Sequence, residues 1–157
     1  MSAARKKSLP GKPSGRISVR FTARVHGASA PGIRRAVRAA LVGRVIESVS
    51  VAVVDDATIA DLHKRYMKDP EPTDVLSFDL RENAAGEAIE GEIVVSAETA
   101  RRSARRLGLS ERQETLRYVI HGALHLAGWD DQTAGERRRM RREEDRVLGG
   151  IGEKPNH

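Results

Sequence analysis

The segment from Ser110 to Asp131 limits what this chain can fold into more than any other. Leu116, Val119, Ile120, Ala123 and Leu124 make its middle largely apolar, so a helix there belongs at the centre of the molecule. Ser110 with Gln113 gives the capping-box pattern for its start. His121 and His125 are set into the same helix. Residues four apart on a helix lie about 40° from one another around its axis, so both imidazoles can reach one point. Gly128 follows, a residue that accepts the left-handed conformation at which helices commonly end. A chain turning back there brings Asp131, or less readily Asp130, towards the two rings.

Two imidazole nitrogens and a carboxylate oxygen, with a fourth position open, form the ligand set of a catalytic zinc ion. One ion held by His121, His125 and Asp131 is therefore expected, and metal-assisted hydrolysis is its natural reaction class. A rigid central helix is the support such a centre needs. Nitrogen-plus-oxygen ligation also admits manganese, nickel or iron. The zinc-protease helix carries a glutamate base directly after its first histidine. Here that position is Gly122, which lowers the peptidase reading.

With 157 residues the chain suits one domain able to bury a core unaided. The absence of cysteine excludes disulfides and thiolate zinc sites. No apolar run follows the basic first residues, and none is long enough to span a bilayer. A soluble, cytoplasmic protein is expected, with no membrane partner. Net charge is +6, but Arg5, Lys6, Lys7 and Lys12 supply four of those charges from a stretch with almost nothing to bury. Residues 1–15 are expected to be a disordered basic tail, 16–149 the domain, and 150–157 a second disordered tail. The body keeps about +2, which favours a polyanionic partner only mildly.

Arg16 to Val25 alternates, with Ile17, Val19, Phe21, Ala23 and Val25 on one face of a half-buried strand. Pro31 opens a helix buried through Ile33, Val37, Ala40 and Leu41. Ser48 to Val54 reads as a second strand, after which Asp55 or Asp56 caps a helix carrying Ile59 and Leu62. Met67 to Thr73, with two prolines, reads as a loop. Val75 to Leu80 and Glu92 to Val95 read as two more strands, joined by a polar connection at Gly86. Ser96 starts a helix that Gly108 ends. Its outer face carries Arg101, Arg102, Arg105 and Arg106, as a solvated surface or an RNA contact. Thr133 with Glu136 opens a last, charged helix buried along Met140, Val147 and Leu148 and fraying from Gly149. The sum is an α+β single domain, about four strands in a mixed sheet packed with about five helices, with the zinc site on the central one.

The run His121-Gly122-Ala123-Leu124-His125-Leu126-Ala127-Gly128, with Trp129 and Asp130 after it, resembles the signature of the YbeY family of bacterial endoribonucleases and ribosomal RNA maturation factors. Pro72-Thr73-Asp74-Val75-Leu76-Ser77-Phe78 is similar to that family's Pro-Thr-Asp-Val-Leu-Ser-Phe segment. Gly91-Glu92-Ile93-Val94-Val95-Ser96 resembles its Gly-Asp-Ile strand, and Met140, Glu144, Val147 and Leu148 resemble its final helix. The resemblance implies a zinc hydrolase that cuts single-stranded RNA. It also implies ribosomal RNA and the small ribosomal subunit as partners, in RNA maturation and ribosome quality control.

The chain departs from that pattern twice. The family's usual third ligand is a histidine where this chain has Asp131, a competent ligand whose charge makes the ion a weaker Lewis acid. The family's usual arginine after tyrosine is here Met67, following Tyr66. Arg65 or Lys68 could supply that cation only with a rearranged loop. Asp130 either orients a ligand histidine or shapes the helix end. His26 and His63 are expected at the surface, Trp129 packed over the site, and Asp74 bonded to loop amides. A non-catalytic ribosome-assembly factor with a structural zinc and a zinc peptidase with an unusual base stay open as other readings, and so does the oligomeric state.

Overall fold

The computed structural model describes residues 15–67, 73–83 and 87–153. The chain runs β1 (Arg16–Phe21), α1 (Ala30–Ala40), β2 (Ile46–Val54), α2 (Asp56–Met67), β3 (Val75–Asp79), β4 (Ile89–Ser96), α3 (Ala97–Leu107), α4 (Glu111–Leu126) and α5 (Ala134–Gly150). The sheet order is β1-β2-β4-β3, with β1 and β4 parallel to β2 and β3 antiparallel to β4. Among the described residues this is the expected mixed four-stranded sheet with five helices. None of these helices is long and apolar enough to cross a membrane.

The central strands β2 and β4 are apolar on both faces over Val51–Val54 and Ile93–Val95, because both faces are covered there. Val49, Val51, Val53, Ile93 and Val95 belong to the main core with residues of α1 and α4. Ala52, Val54, Leu76 and Val94 form a smaller cluster with Ile59 and Leu62 of α2. Helix α4 touches α1, α3, α5, β3 and β4, which is why its sequence is apolar nearly all round.

Gly122 marks where α4 settles onto the sheet. A Cβ there would lie 2.7 Å from Ile93 Cγ2 and 3.0 Å from Ser77 Oγ. The Ser77 hydroxyl donates to the Gly122 carbonyl at 2.9 Å, tying β3 to the turn between the two histidines. The glycine is a packing demand, and no glutamate fits in its place.

Several boundaries differ from the sequence reading. β1 ends at Phe21, which is 38% exposed, instead of continuing to Val25. The cause is local: Thr22 N–H and Ala23 N–H both reach the Val53 carbonyl, at 2.8 and 3.2 Å, which breaks the ladder. Helix α5 continues through Gly150, and Glu153 beyond it is held by Arg112 at 3.1 Å, so order extends past Gly149. Asp55 is the residue that caps α2, accepting from Thr58 N–H at 2.9 Å. Asp56 ties α2 to α3 instead, accepting from the Ser96 and Thr99 hydroxyls and from Arg102. Burial pushes the Asp56 carboxyl up, but the bonds from Ser96, Arg102 and Thr99 outweigh it and hold the group below its ordinary value. The basic tail over 1–14, the loop over 68–72 with Lys68, the connection at Gly86 and residues 154–157 lie outside the described residues.

Candidate metal centre

Helix α4 is fixed at both ends. Ser110 Oγ accepts from Gln113 N–H at 3.0 Å. At the other end Gly128 adopts φ +103°, with Gly128 N–H on the His125 carbonyl and Trp129 N–H on the Leu124 carbonyl, both at 3.0 Å. This crossed pair is the usual closure of a glycine-terminated helix. Two guanidiniums finish the job: Arg81 Nη2 donates to the Leu126 carbonyl at 2.7 Å and Arg44 Nη1 to the Ala127 carbonyl at 2.9 Å. They satisfy orphan carbonyls and put positive charge at the negative end of the helix dipole. Trp129 packs against the main core.

The turn brings Asp131 back to the histidines. Asp131 Oδ2 lies 3.3 Å from His121 Nε2 and 3.3 Å from His125 Nε2, and the two Nε2 atoms are 3.1 Å apart. Ion–donor distances of about 2.0–2.2 Å in a tetrahedral zinc site imply donor–donor edges of about 3.3–3.5 Å. The three donors therefore form a face of nearly the right size, and their chemistry suits such an ion. Their side chains are 25%, 30% and 32% exposed for His121, His125 and Asp131, so the fourth direction is open.

A carboxylate whose role was not read from the sequence, Glu144, governs His121. Its Nδ1 lies 2.6 Å from Glu144 Oε2; the carboxylate accepts the Nδ1 hydrogen, so in the neutral ring the lone pair is on Nε2, facing Asp131 and His125. Glu144 Oε1 accepts from Arg117 Nη1 at 2.8 Å, and Arg117 Nη2 donates to Asp145 at 2.6 Å. Arg117 and Glu144 are each only 5% exposed. Burial lowers the His121 pKa, but the Glu144 bond and the charges of Glu144, Asp131 and Asp74 outweigh it and raise the group above its ordinary value. Asp130, one candidate for this orienting role, is exposed. Arg65, the candidate cation, is engaged elsewhere: it pairs with Asp61 at 2.5 Å and lies over the Tyr66 ring. The signal for Glu144 was present, since it sits in the apolar stripe of α5 with Met140, Val147 and Leu148.

The first turn of α5 braces the Asp131 turn. Glu136 accepts from Gln132 N–H and Thr133 N–H, both at 3.0 Å, completing the expected capping box. Arg137 Nη1 donates to the carbonyls of Asp131 and Gln132 at 3.3 and 3.1 Å. Cavities open on both sides of the three donors. One, of about 580 Å³, is reached by His121, Asp131, Asp74 and Tyr118, with Arg106 and Arg141 among its exposed residues. Burial pushes the Tyr118 phenol up to about 12, so it stays neutral. The other, of about 300 Å³, lies beside His125 and includes His63, which is half-buried and not simply a surface residue. His26 is exposed, as its sequence context suggests.

An α+β domain carrying two helical imidazoles and a carboxylate around one open point defines a class: proteins with a candidate single-ion centre at the end of a central helix. Comparison with known sequences narrows this, and the chain belongs to the endoribonuclease YbeY family, whose profile matches residues 31–152. The endoribonuclease YbeY of Aquifex aeolicus is 43% identical over 104 residues, 66% of this chain and 69% of that protein. Its counterpart from Desulfitobacterium hafniense is 37% identical over 129 residues, 77% and 82% of the two chains. The solution structure of TM1509 from Thermotoga maritima aligns with a TM-score of 0.55 at 23% identity, covering 86% of this chain and 91% of that one. That likeness shows the fold.

Proposed function

We propose that the protein is a zinc-dependent, single-strand-specific endoribonuclease acting in small-subunit ribosomal RNA maturation and ribosome quality control. One ion is held by His121, His125 and Asp131. The observation that carries this reading is the triangle of donors, with edges of 3.1, 3.3 and 3.3 Å, set at the mouth of two cavities. Zinc in such a site supplies Lewis acidity towards a phosphoryl oxygen and a nucleophile at neutral pH. Glu144 fixes the His121 tautomer, and Arg137 and Glu136 fix the turn that bears Asp131. The exposed guanidiniums of Arg106 and Arg141 suit the phosphates of a flexible single strand. Relatives named endoribonuclease support the substrate class. A chain without cysteine accords with a cytoplasmic location.

A structural zinc takes four protein ligands. Three clustered donors among the described residues, all partly exposed, favour catalysis over the assembly-factor reading. The peptidase reading loses its base, because Gly122 has no room for a side chain.

The test is to incubate zinc-loaded protein with single-stranded and duplex ribosomal RNA fragments, with and without a chelator. Single-strand cuts that the chelator and His121→Ala both abolish are expected. RNA binding without chelator-sensitive cuts would overturn the reading in favour of an assembly factor.

A further inference from the structure

The cavity on the His121–Asp131 side is not built like a channel for phosphates alone. Its outer residues Arg106, Arg137 and Arg141 are exposed and basic. Its inner lining holds two buried carboxylates, Glu114 at 3% and Glu144 at 4% exposed, with Arg117, 4% exposed, paired to Glu144. A phosphodiester carries a full negative charge and gains nothing from Glu114 and Asp74, while the Arg117 charge is already matched by Glu144 and Asp145. The part of a nucleotide that does gain is neutral, planar and rich in N–H donors, namely its base. The volume of about 580 Å³ is in the range of small-ligand sites. Val75, Leu107 and Met140 give the cavity apolar walls, and Leu107 is 48% exposed among its charged neighbours.

Two further observations point to a ligand with both donors and an acceptor. Burial raises the Asp74 carboxyl above its ordinary value, and the His121 charge and the Asp74 and Val75 amides only partly offset this. A carboxyl left short of compensation gains from any N–H that a ligand brings. Arg117 Nε is buried without a hydrogen-bond partner, although both terminal nitrogens are taken by Glu144 and Asp145. Arg117 lines the same cavity. A buried unpaired donor is uncommon and gains from an incoming acceptor.

We infer that this cavity is a nucleobase subsite, which receives the base of a nucleotide beside the phosphate held at the three donors and uses the Asp74 carboxyl to select bases bearing an exocyclic amine. The inference rests on the proposed action on RNA. Guanine is the best fit. Its N1–H and N2 amine lie side by side and meet both oxygens of one carboxylate, while O6 is an acceptor for a guanidinium N–H. Uracil is the worst, since its two carbonyls flank its one N–H against the Asp74 carboxylate and it has no amine. Adenine and cytosine, with one amine each, fall between.

The test uses fluorescent single-stranded pentanucleotides, all uridine or uridine with one guanosine, adenosine, cytidine or inosine at the centre. Binding to the zinc-loaded full chain is read by anisotropy, and cleavage of the same oligomers on a gel. The guanosine oligomer is expected to bind about tenfold tighter than the all-uridine one, the size of a hydrogen bond to a charged group. Inosine, which lacks the amine, should lose most of that gain. Asp74→Asn should bring the five oligomers to within about twofold of one another with zinc content unchanged. Equal affinities across the wild-type series, which needs no variant, overturn the subsite. A preference that survives Asp74→Asn overturns the role of Asp74. Base preference without any cleavage removes the nuclease reading and leaves the subsite standing, whereas cleavage without preference does the reverse.

Discussion

His121 and His125 stand four positions apart on one helix, yet the surroundings of the two rings have little in common. His121 is backed by a buried chain of charges running through Glu144 and Arg117 to Asp145. The ring of His125, among the described residues, is bonded or paired only with His121 and Asp131, and it borders the smaller cavity with His63. The same residue type thus serves as anchor at one position and as adaptable partner at the other. In the proposed centre the anchored ring would set the position of the ion, with the other ring and Asp131 as the adjustable donors. A three-ligand centre can be well placed with only one ligand locked from behind, provided the helix between them is rigid.

The largest expected effect attacks the anchor itself. Arg117→Met leaves Glu144 buried without its cation and should cost about 3–5 kcal/mol in urea unfolding. Adding Glu144→Gln to that variant should recover a large part of the loss, and a double variant as unstable as the single one would show that the pair is not coupled. Next, Glu144→Gln alone should weaken zinc binding about 10–100-fold, measured by competition with a chromophoric chelator. Unchanged affinity would make the two histidines equivalent and end the contrast. Gly122→Ala should then cost about 1–3 kcal/mol, because the methyl must displace Ile93 between the two ligand turns. A neutral result there would mean α4 can lift from the sheet.

The smallest effect is a control remote from both rings. The Asp56 carboxyl is held below its usual value of 3.8 by Ser96, Arg102 and Thr99 against the opposing pull of burial. A depressed folded value adds stability above the unfolded pKa, which is lost as pH falls through the folded one. Asp56→Asn should therefore lower the unfolding midpoint at neutral pH and lose that penalty in acid, while leaving zinc affinity unchanged at neutral pH. A penalty that persists undiminished below the folded value would assign Asp56 a role other than its charge.

The clustering of His121, His125 and Asp131 was legible because their spacing obeys local rules: two positions four apart on one helix, a glycine, and a short return. Helices α1, α3 and α5 were legible for the same reason, through Pro31 in the first turn of α1 and the caps at Ser96 and Thr133. Glu144 was harder, since its partner is 23 residues away and it lies in a helix crowded with other charges. A carboxylate placed between Met140 and Val147 was nevertheless out of keeping with its stripe. The end of β1 could not be read from alternation, which continues to Val25, because the break arises from a carbonyl on another strand. Arg81 gave no local hint either, as its target carbonyl is 45 residues downstream.

Arg44 and Arg81 reach the last turn of α4 from two separate connections of the fold. With those carbonyls satisfied by the protein, the final turn that carries His125 does not depend on an ion to stay wound. If the three donors hold an ion as proposed, its loading and loss would be exchanges at a standing scaffold, and stripping the metal should leave the helical circular dichroism signal unchanged.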